Sequence, residues 1–232
     1  MRYAPSPPKG PAALLYVLLA AQVAAVAALA VFEHLRGKRL VAELTGLTGR
    51  APEPVVGAVT VFAVLIMAAA LITAATVACF LVWVWRARRS AELYGFAPQR
   101  LARGWAVAAW FLPVANLVLP VLVLDDLWRA SAPGGDRRAW HTLLAAWWAS
   151  WLALLAVALA GPLGLVRAAG PDLDLTGVGL MESAATAIAA ATAAAVVRAI
   201  TLRQRHTTTS REPYGTASAV RLAVPRPVHD AA

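Results

Sequence analysis

The amino-acid sequence predicts an all-α integral membrane protein with four transmembrane helices and a proline-broken re-entrant or interfacial helical element. Three observations predict it. The chain of 232 residues is 60% hydrophobic and only 14% charged, whereas soluble domains sit near 45–50% and about 25%; a water-soluble core of this size cannot hide so much apolar surface. The apolar residues gather in runs near twenty residues long, enough to cross a hydrocarbon core of about 30 Å at about 1.5 Å per helical residue. Lys and Arg stand between the runs, in the segments that the positive-inside rule assigns to the cytoplasm.

Residues 1–11 form a Pro-rich leader with Arg2 and Lys9. The first span is expected over 12–32, apolar except for Gln22. Ala28-Leu29-Ala30 fits a small-residue cleavage pattern, but the run exceeds the roughly 7–15 residues of a signal h-region, so it reads as an uncleaved anchor. A polar connector at 33–54 precedes the longest run, which gives a second span over 58–85. That run closes on Trp83 and Trp85, then Arg86, Arg88 and Arg89. Indole rings favour the headgroup level and guanidinium the cytoplasmic side, so this end is expected inside. Residues 105–124 are apolar but contain Pro113, Asn116 and Pro120. The third span is placed at 140–161, rich in Trp, and the fourth at 178–200, rich in Ala. The membrane domain is bounded at 12–205, and 206–232, without periodicity, reads as a disordered cytoplasmic tail.

Five apolar runs do not make five crossings. If all five cross, the better orientation leaves 13 Lys and Arg inside and 8 outside; if 105–124 does not cross, 16 lie inside with both termini and 5 outside. The second arrangement obeys the charge bias far better. The prolines agree with it. Each removes a backbone donor and clashes with a carbonyl four residues earlier, so Pro113 and Pro120 would free the carbonyls of Ala109 and Asn116. Lipid tolerates such groups only where protein or a wet cavity covers them. The Asn116 amide is close enough in sequence to satisfy nearby carbonyls. Residues 105–130 are therefore read as a re-entrant or interfacial element on the cytoplasmic side, with a Pro-kinked fifth span as the alternative.

At these residues the chain resembles a known family, the small bacterial membrane proteins catalogued as domain of unknown function 4328. The likeness rests on Trp85-Arg86-x-Arg88-x-x-Ala91-Glu92, Gly104-Trp105, Trp110-Phe111-x-Pro113-x-x-Asn116-x-x-x-Pro120 and Leu127-Trp128-Arg129-Ala130-Ser131. Trp147-Trp148-x-x-Trp151 and Ile200-Thr201-x-Arg203-Gln204 extend it. The family often has asparagine where this chain has Ser90. The resemblance implies a multi-pass membrane domain over roughly 12–205, with no established activity.

Two readings of the Trp/Pro/Asn element stand side by side. In one, Trp105, Trp110, Trp128, Trp147 and Trp151 wall a pocket in which Asn116 and freed carbonyls at Pro113 and Pro120 offer polar contacts, with Arg129 at its edge. Such a cleft suits a lipid headgroup, an organic cation or a peptide. In the other, the same residues are an interfacial belt and a packing wedge. Arg86, Arg88, Arg89, Arg100 and Arg103 form a basic cluster opposed only by Glu92. It either attracts anionic lipid headgroups at about 1 kcal/mol per residue or sets topology alone. Glu92 is placed to pair with Arg88 at i, i+4. Gln22, Thr73 and Thr76 read as interhelical or backbone hydrogen-bonders, and Glu182 and Arg198 lie near opposite ends of the last span.

Catalysis finds little support. His34, His141, His206 and His229 are scattered without metal-ligand spacing, and Cys79 is the single cysteine. No G-x-S-x-G, Walker or H-E-x-x-H pattern occurs. Asp125-Asp126 are adjacent acids that point apart on a helix, which suits an ordinary Asp–Arg pair better than a metal-dependent lipid enzyme. The net charge of +9 follows from topology, so no nucleic acid partner is expected, and no cofactor. The expected function is that of a non-enzymatic plasma-membrane module, both termini cytoplasmic, binding a lipid or a membrane or cytoplasmic protein at its Trp/Arg-rich face. The alternative is a small transporter or channel component with a path past Asn116, and an interfacial lipid enzyme ranks last.

Overall fold

The protein is described by a computed structural model, covering residues 9–37, 39–41, 53–102, 104–112, 115–132, 134–160 and 178–210. Its regular elements among these residues are all helices, joined by non-helical segments such as 95–102. Helix α1 spans Lys9–Phe32 and ends in a π-helical turn, Glu33–Gly37; α2 spans Glu53–Tyr94. A single turn, α3 (Trp105–Ala108), and a 3-10 turn, Ala115–Leu117, lead into α4 (Leu119–Ser131). Helices α5 (Arg137–Ala160) and α6 (Leu180–Ser210) complete the chain. Four of these, α1, α2, α5 and α6, are long and apolar enough to cross a membrane.

Local chemistry sets the helix starts. Pro11 and Pro54 lie in the first turns of α1 and α2, where a missing N–H costs no hydrogen bond. Asp136 caps α5: its Oδ1 accepts from the backbone N–H groups of Arg138 (2.8 Å) and Ala139 (3.1 Å). Glu182, in the first turn of α6, reaches back to accept from the Gly179 N–H at 2.7 Å, so it caps the helix rather than standing free in solvent. Two helices run past their expected ends. The second continues through Arg86–Arg89 to Tyr94, and the last reaches Ser210; the rest of the expected tail lies outside the described residues.

Helix α1 packs on α2 and α6, and α6 on α5, while α2 and α5 share no packing interface of their own. Pairings along the helices give their directions. The Cys79 thiol lies 3.4 Å from the Pro11 carbonyl, Thr73 donates to Gln22 Oε1 at 3.0 Å, and Phe32 stacks on Phe62. So α1 and α2 are antiparallel. Thr73 and Thr76 also donate to the carbonyls of Ala69 and Ile72, as expected of hydroxyls inside apolar helices. Ser150 pairs with Thr192 across the α5–α6 contact. Trp83 donates to Thr201 at 3.2 Å and Gln204 to the Ala87 carbonyl at 2.9 Å, so α2 and α6 run parallel and meet near their C-terminal ends.

The start of α1, the end of α2, the start of α5 and the end of α6 thus share one end of the bundle. Residues 105–131 form a hairpin that enters and leaves at that end. Its returning limb lies along the 95–100 segment: Phe96 N–H donates to Ala130 O at 3.0 Å, and Arg100 N–H to Asp126 Oδ2 at 2.9 Å. Its inner part reaches Phe80, ~21 Å of helical rise from the end of α2. Pro120 opens α4 instead of kinking a continuous helix. The buried core collects around this hairpin, with Leu15, Trp83, Val84, Leu124, Leu127, Val197 and Ile200 almost fully enclosed.

Candidate functional site

The hairpin end holds the residues that the sequence singled out, and its polar groups are knitted first. Arg88, 3% exposed, donates through Nε to Glu92 (3.1 Å), through Nη1 to Gln99 (2.7 Å) and through Nη2 to the Leu101 carbonyl. Gln99 passes the link on, donating to the Asp126 carbonyl at 3.2 Å. Asp126 is 1% exposed; besides accepting from the Arg100 N–H, it stands 2.9 Å from Arg100 Nε and 4.0 Å from Arg129. Asp125 takes the other side of Arg100 and accepts from Trp140 Nε1 at 3.1 Å, with His141 Nε2 at 3.6 Å. Contrary to the sequence expectation, the two adjacent acids do not point apart: both converge on the Arg100 guanidinium, at Nη2 and Nε. The expected Asp–Arg pairing is made. Arg88 and Arg100 pin the 95–102 segment to α2 and α4, which charge-assisted bonds in a sparsely hydrated setting do well.

The tryptophans divide into two groups rather than one cage. Trp128 stacks on Trp140 (5.3 Å, 4°), and Arg203 lies 4.0 Å over the Trp128 ring. Arg203 also donates to the carbonyls of Ala132 and Gly134, holding the turn into α5. Gly135 has φ +102°, a backbone conformation that favours glycine, and a side chain there would displace the Arg203 guanidinium. The second group is deeper: Trp110 meets Phe80 edge-on at 4.8 Å and Trp147 at 6.2 Å, bridging α2 and α5. Trp110 Nε1 donates to the Ala106 carbonyl within its own turn. Trp105 sits at the rim, 39% exposed. Asn116 Oδ1 and Trp151 Nε1 are buried without a hydrogen-bond partner. Pro113 and Arg103 lie outside the described residues.

What remains open at this end is basic. Arg86, Arg89, Arg137 and Arg138 are exposed, and Trp85, with Arg89, Glu92 and Leu93, borders a shallow hollow of about 240 Å³. A larger open hollow of about 560 Å³ lies over the 95–102 segment, between Ala91, Glu92, Phe96 and Gln99. Sequence reasoning missed Phe80, Gln99, Trp140 and Arg203 as members of this region. Arg203 had a visible signal, the closing Thr201-x-Arg203-Gln204 pattern; Phe80 and Gln99 had none.

The family model described as Domain of unknown function (DUF4328) matches residues 48–202, more than half of the chain. The chain belongs to the DUF4328 family. The match covers α2 to α6 up to Leu202, so the hairpin, both tryptophan groups and the Arg88 knot are parts of the DUF4328 domain. No curated protein and no solved structure matches the chain.

Proposed function

We propose that this DUF4328 chain is a four-span, non-enzymatic module of the plasma membrane, with the hairpin end and both termini cytoplasmic, and that the open basic rim of that end binds anionic lipid headgroups. One observation carries the reading. The acids near the hairpin's base, Glu92, Asp125 and Asp126, face Arg88 and Arg100, while Arg86, Arg89, Arg137 and Arg138 stay exposed at the same end, Arg89 beside the exposed Trp85. Exposed arginines next to interfacial tryptophans are the footprint of a surface that meets phosphate-bearing lipid. Of the five arginines of the sequence cluster, Arg86 and Arg89 supply this rim; Arg88 and Arg100 serve the fold.

Two measurements test it. In a Cys79→Ser background, single cysteines at Arg137 and Thr176 are expected to label from the cytoplasmic and the external side respectively; Ser131 is unsuitable because it is 2% exposed. Labelling from one common side sinks the four-span arrangement. Purified full-length protein in detergent is expected to gain thermal stability from phosphatidylglycerol and not from phosphatidylcholine. Equal responses to the two lipids reject the headgroup reading.

A second reading has its own observation. The partnerless Asn116 Oδ1 of the hairpin and Trp151 Nε1 of α5 are buried polar groups of the kind that line a solute path through an apolar bundle. A transport component predicts solute or ion flux in liposomes that Asn116→Leu abolishes; flux unchanged in that variant removes the reading.

A further inference from the structure

The part of the basic rim that α5 supplies holds a third group, a histidine. Helix α5 is apolar enough to span a membrane from Arg137 onward, so on the membrane reading above its first turns stand at the headgroup level. Arg137, Arg138 and His141 are all exposed there, and positions i, i+1 and i+4 share one side of a helix. Neither arginine side chain has a carboxylate partner among the described residues. Asp136, just before them, spends Oδ1 on the N–H groups of Arg138 and Ala139. His141 Nε2 stands 3.6 Å from Asp125 Oδ1 of α4, while the side chain is 61% exposed. The ring thus meets a carboxylate on one side and the surface on the other.

The charged groups around the imidazole come from each element packed on this end of α5. From α4 there is Asp125, and behind it Arg100 of the 95–102 segment. From α6 there is Arg203, engaged with the Ala132 and Gly134 carbonyls and the Trp128 ring. On α5 itself stand Arg137 and Arg138, with Asp136 before them. Guanidinium keeps its charge at every physiological pH, and so does a phospholipid's phosphodiester. Imidazole is the side chain whose charge changes between about pH 5 and 8. Once protonated it carries an N–H at both ring nitrogens; with Nε2 toward Asp125, Nδ1 is left for an anion. We infer that His141 is a titratable member of the headgroup site at Arg137 and Arg138, so that the protein binds anionic phospholipid more tightly as the pH falls. The added charge is present at the acid end of the window and lost as the pH rises. The inference rests on the headgroup reading of the rim and adds to it a regulator and the residue responsible.

The test is a titration of the full-length protein in neutral detergent with short-chain phosphatidylglycerol at pH 5.5 and 7.5. Binding is read by tryptophan fluorescence, with phosphatidylcholine at each pH as the reference. Wild type is expected to bind phosphatidylglycerol about fivefold more tightly at the lower pH, the effect of one added charge at a membrane surface. His141→Gln is expected to bind equally at both pH values, at the wild-type affinity for pH 7.5. His141→Arg, with a permanent charge, is expected to be tight at both. The exposed position lets all three fold alike. His206→Gln/His229→Gln is expected to keep the wild-type response. A wild-type preference for phosphatidylglycerol that does not change with pH overturns the inference and leaves the headgroup reading standing. A pH response that survives in His141→Gln assigns the titration to another group and also overturns it. Equal binding of the two lipids at both pH values overturns the headgroup reading itself.

Discussion

Replacing Asp126 by alanine is expected to lower the stability of the full-length protein by about 3 kcal/mol, at the low end of what breaking a buried ion pair costs. The carboxylate is enclosed, accepts from the Arg100 backbone N–H and faces the Arg100 side chain. Removing it leaves a buried N–H without a partner. The guanidinium of Arg100, 44% exposed, regains part of its loss from water, which is why the low end applies. Asp126→Asn keeps an acceptor for the backbone and is expected to cost about half as much. Asp125→Ala removes the bond from Trp140 Nε1, so a blue-shifted or quenched tryptophan signal with little loss of stability is expected there. Unfolding in detergent with increasing SDS, followed by tryptophan fluorescence, measures all three; a neutral Asp126→Ala would show that the 95–102 segment is not held by this knot.

Trp83→Ala is expected to be more damaging, at about 4 kcal/mol, in the range for deleting a fully buried indole. The side chain is 0% exposed, lies 5.8 Å from Phe80 and donates to Thr201. Its loss opens a void where α2 meets α6 and strands the Thr201 hydroxyl. Trp83→Phe restores much of the volume but not the bond, so it is expected to recover about half of the loss. If the two variants prove equally unstable, the hydrogen bond and not the packing carries the contact.

Much of this architecture was legible because composition and charge act over whole segments. The four long helices follow from runs of apolar residues, and the hairpin from Pro113, Pro120 and the tally of Lys and Arg. The Arg88–Glu92 pair follows from helical spacing alone. Helix ends were less legible. The end of the apolar run at Trp85 is a change in polarity, yet Arg86 to Tyr94 is rich in good helix formers, so the helix runs past it. The grouping of tryptophans was not legible at all. Trp128 turns to Trp140 and Arg203, and Trp110 to Phe80 and Trp147, and these partners are fixed by how the hairpin docks. Proline position was ambiguous for the same reason: Pro120 disrupts a helix only if one already runs through it, and here the helix begins there.

One consequence of this arrangement concerns biosynthesis. The turn that closes the hairpin is held by Arg203, 71 residues later in the chain, and Trp83 waits still longer for Thr201. At about 5–20 residues per second, the ribosome delivers the first of these partners roughly 4–14 s after the turn itself. During that interval α4 has α2 to lean on, and then α5, but not the end of α6. The end of α6 must therefore be made before the earlier part of the protein can finish folding. Chains that stop short of residue 196 would carry every residue of the hairpin and lack the surface that seats it.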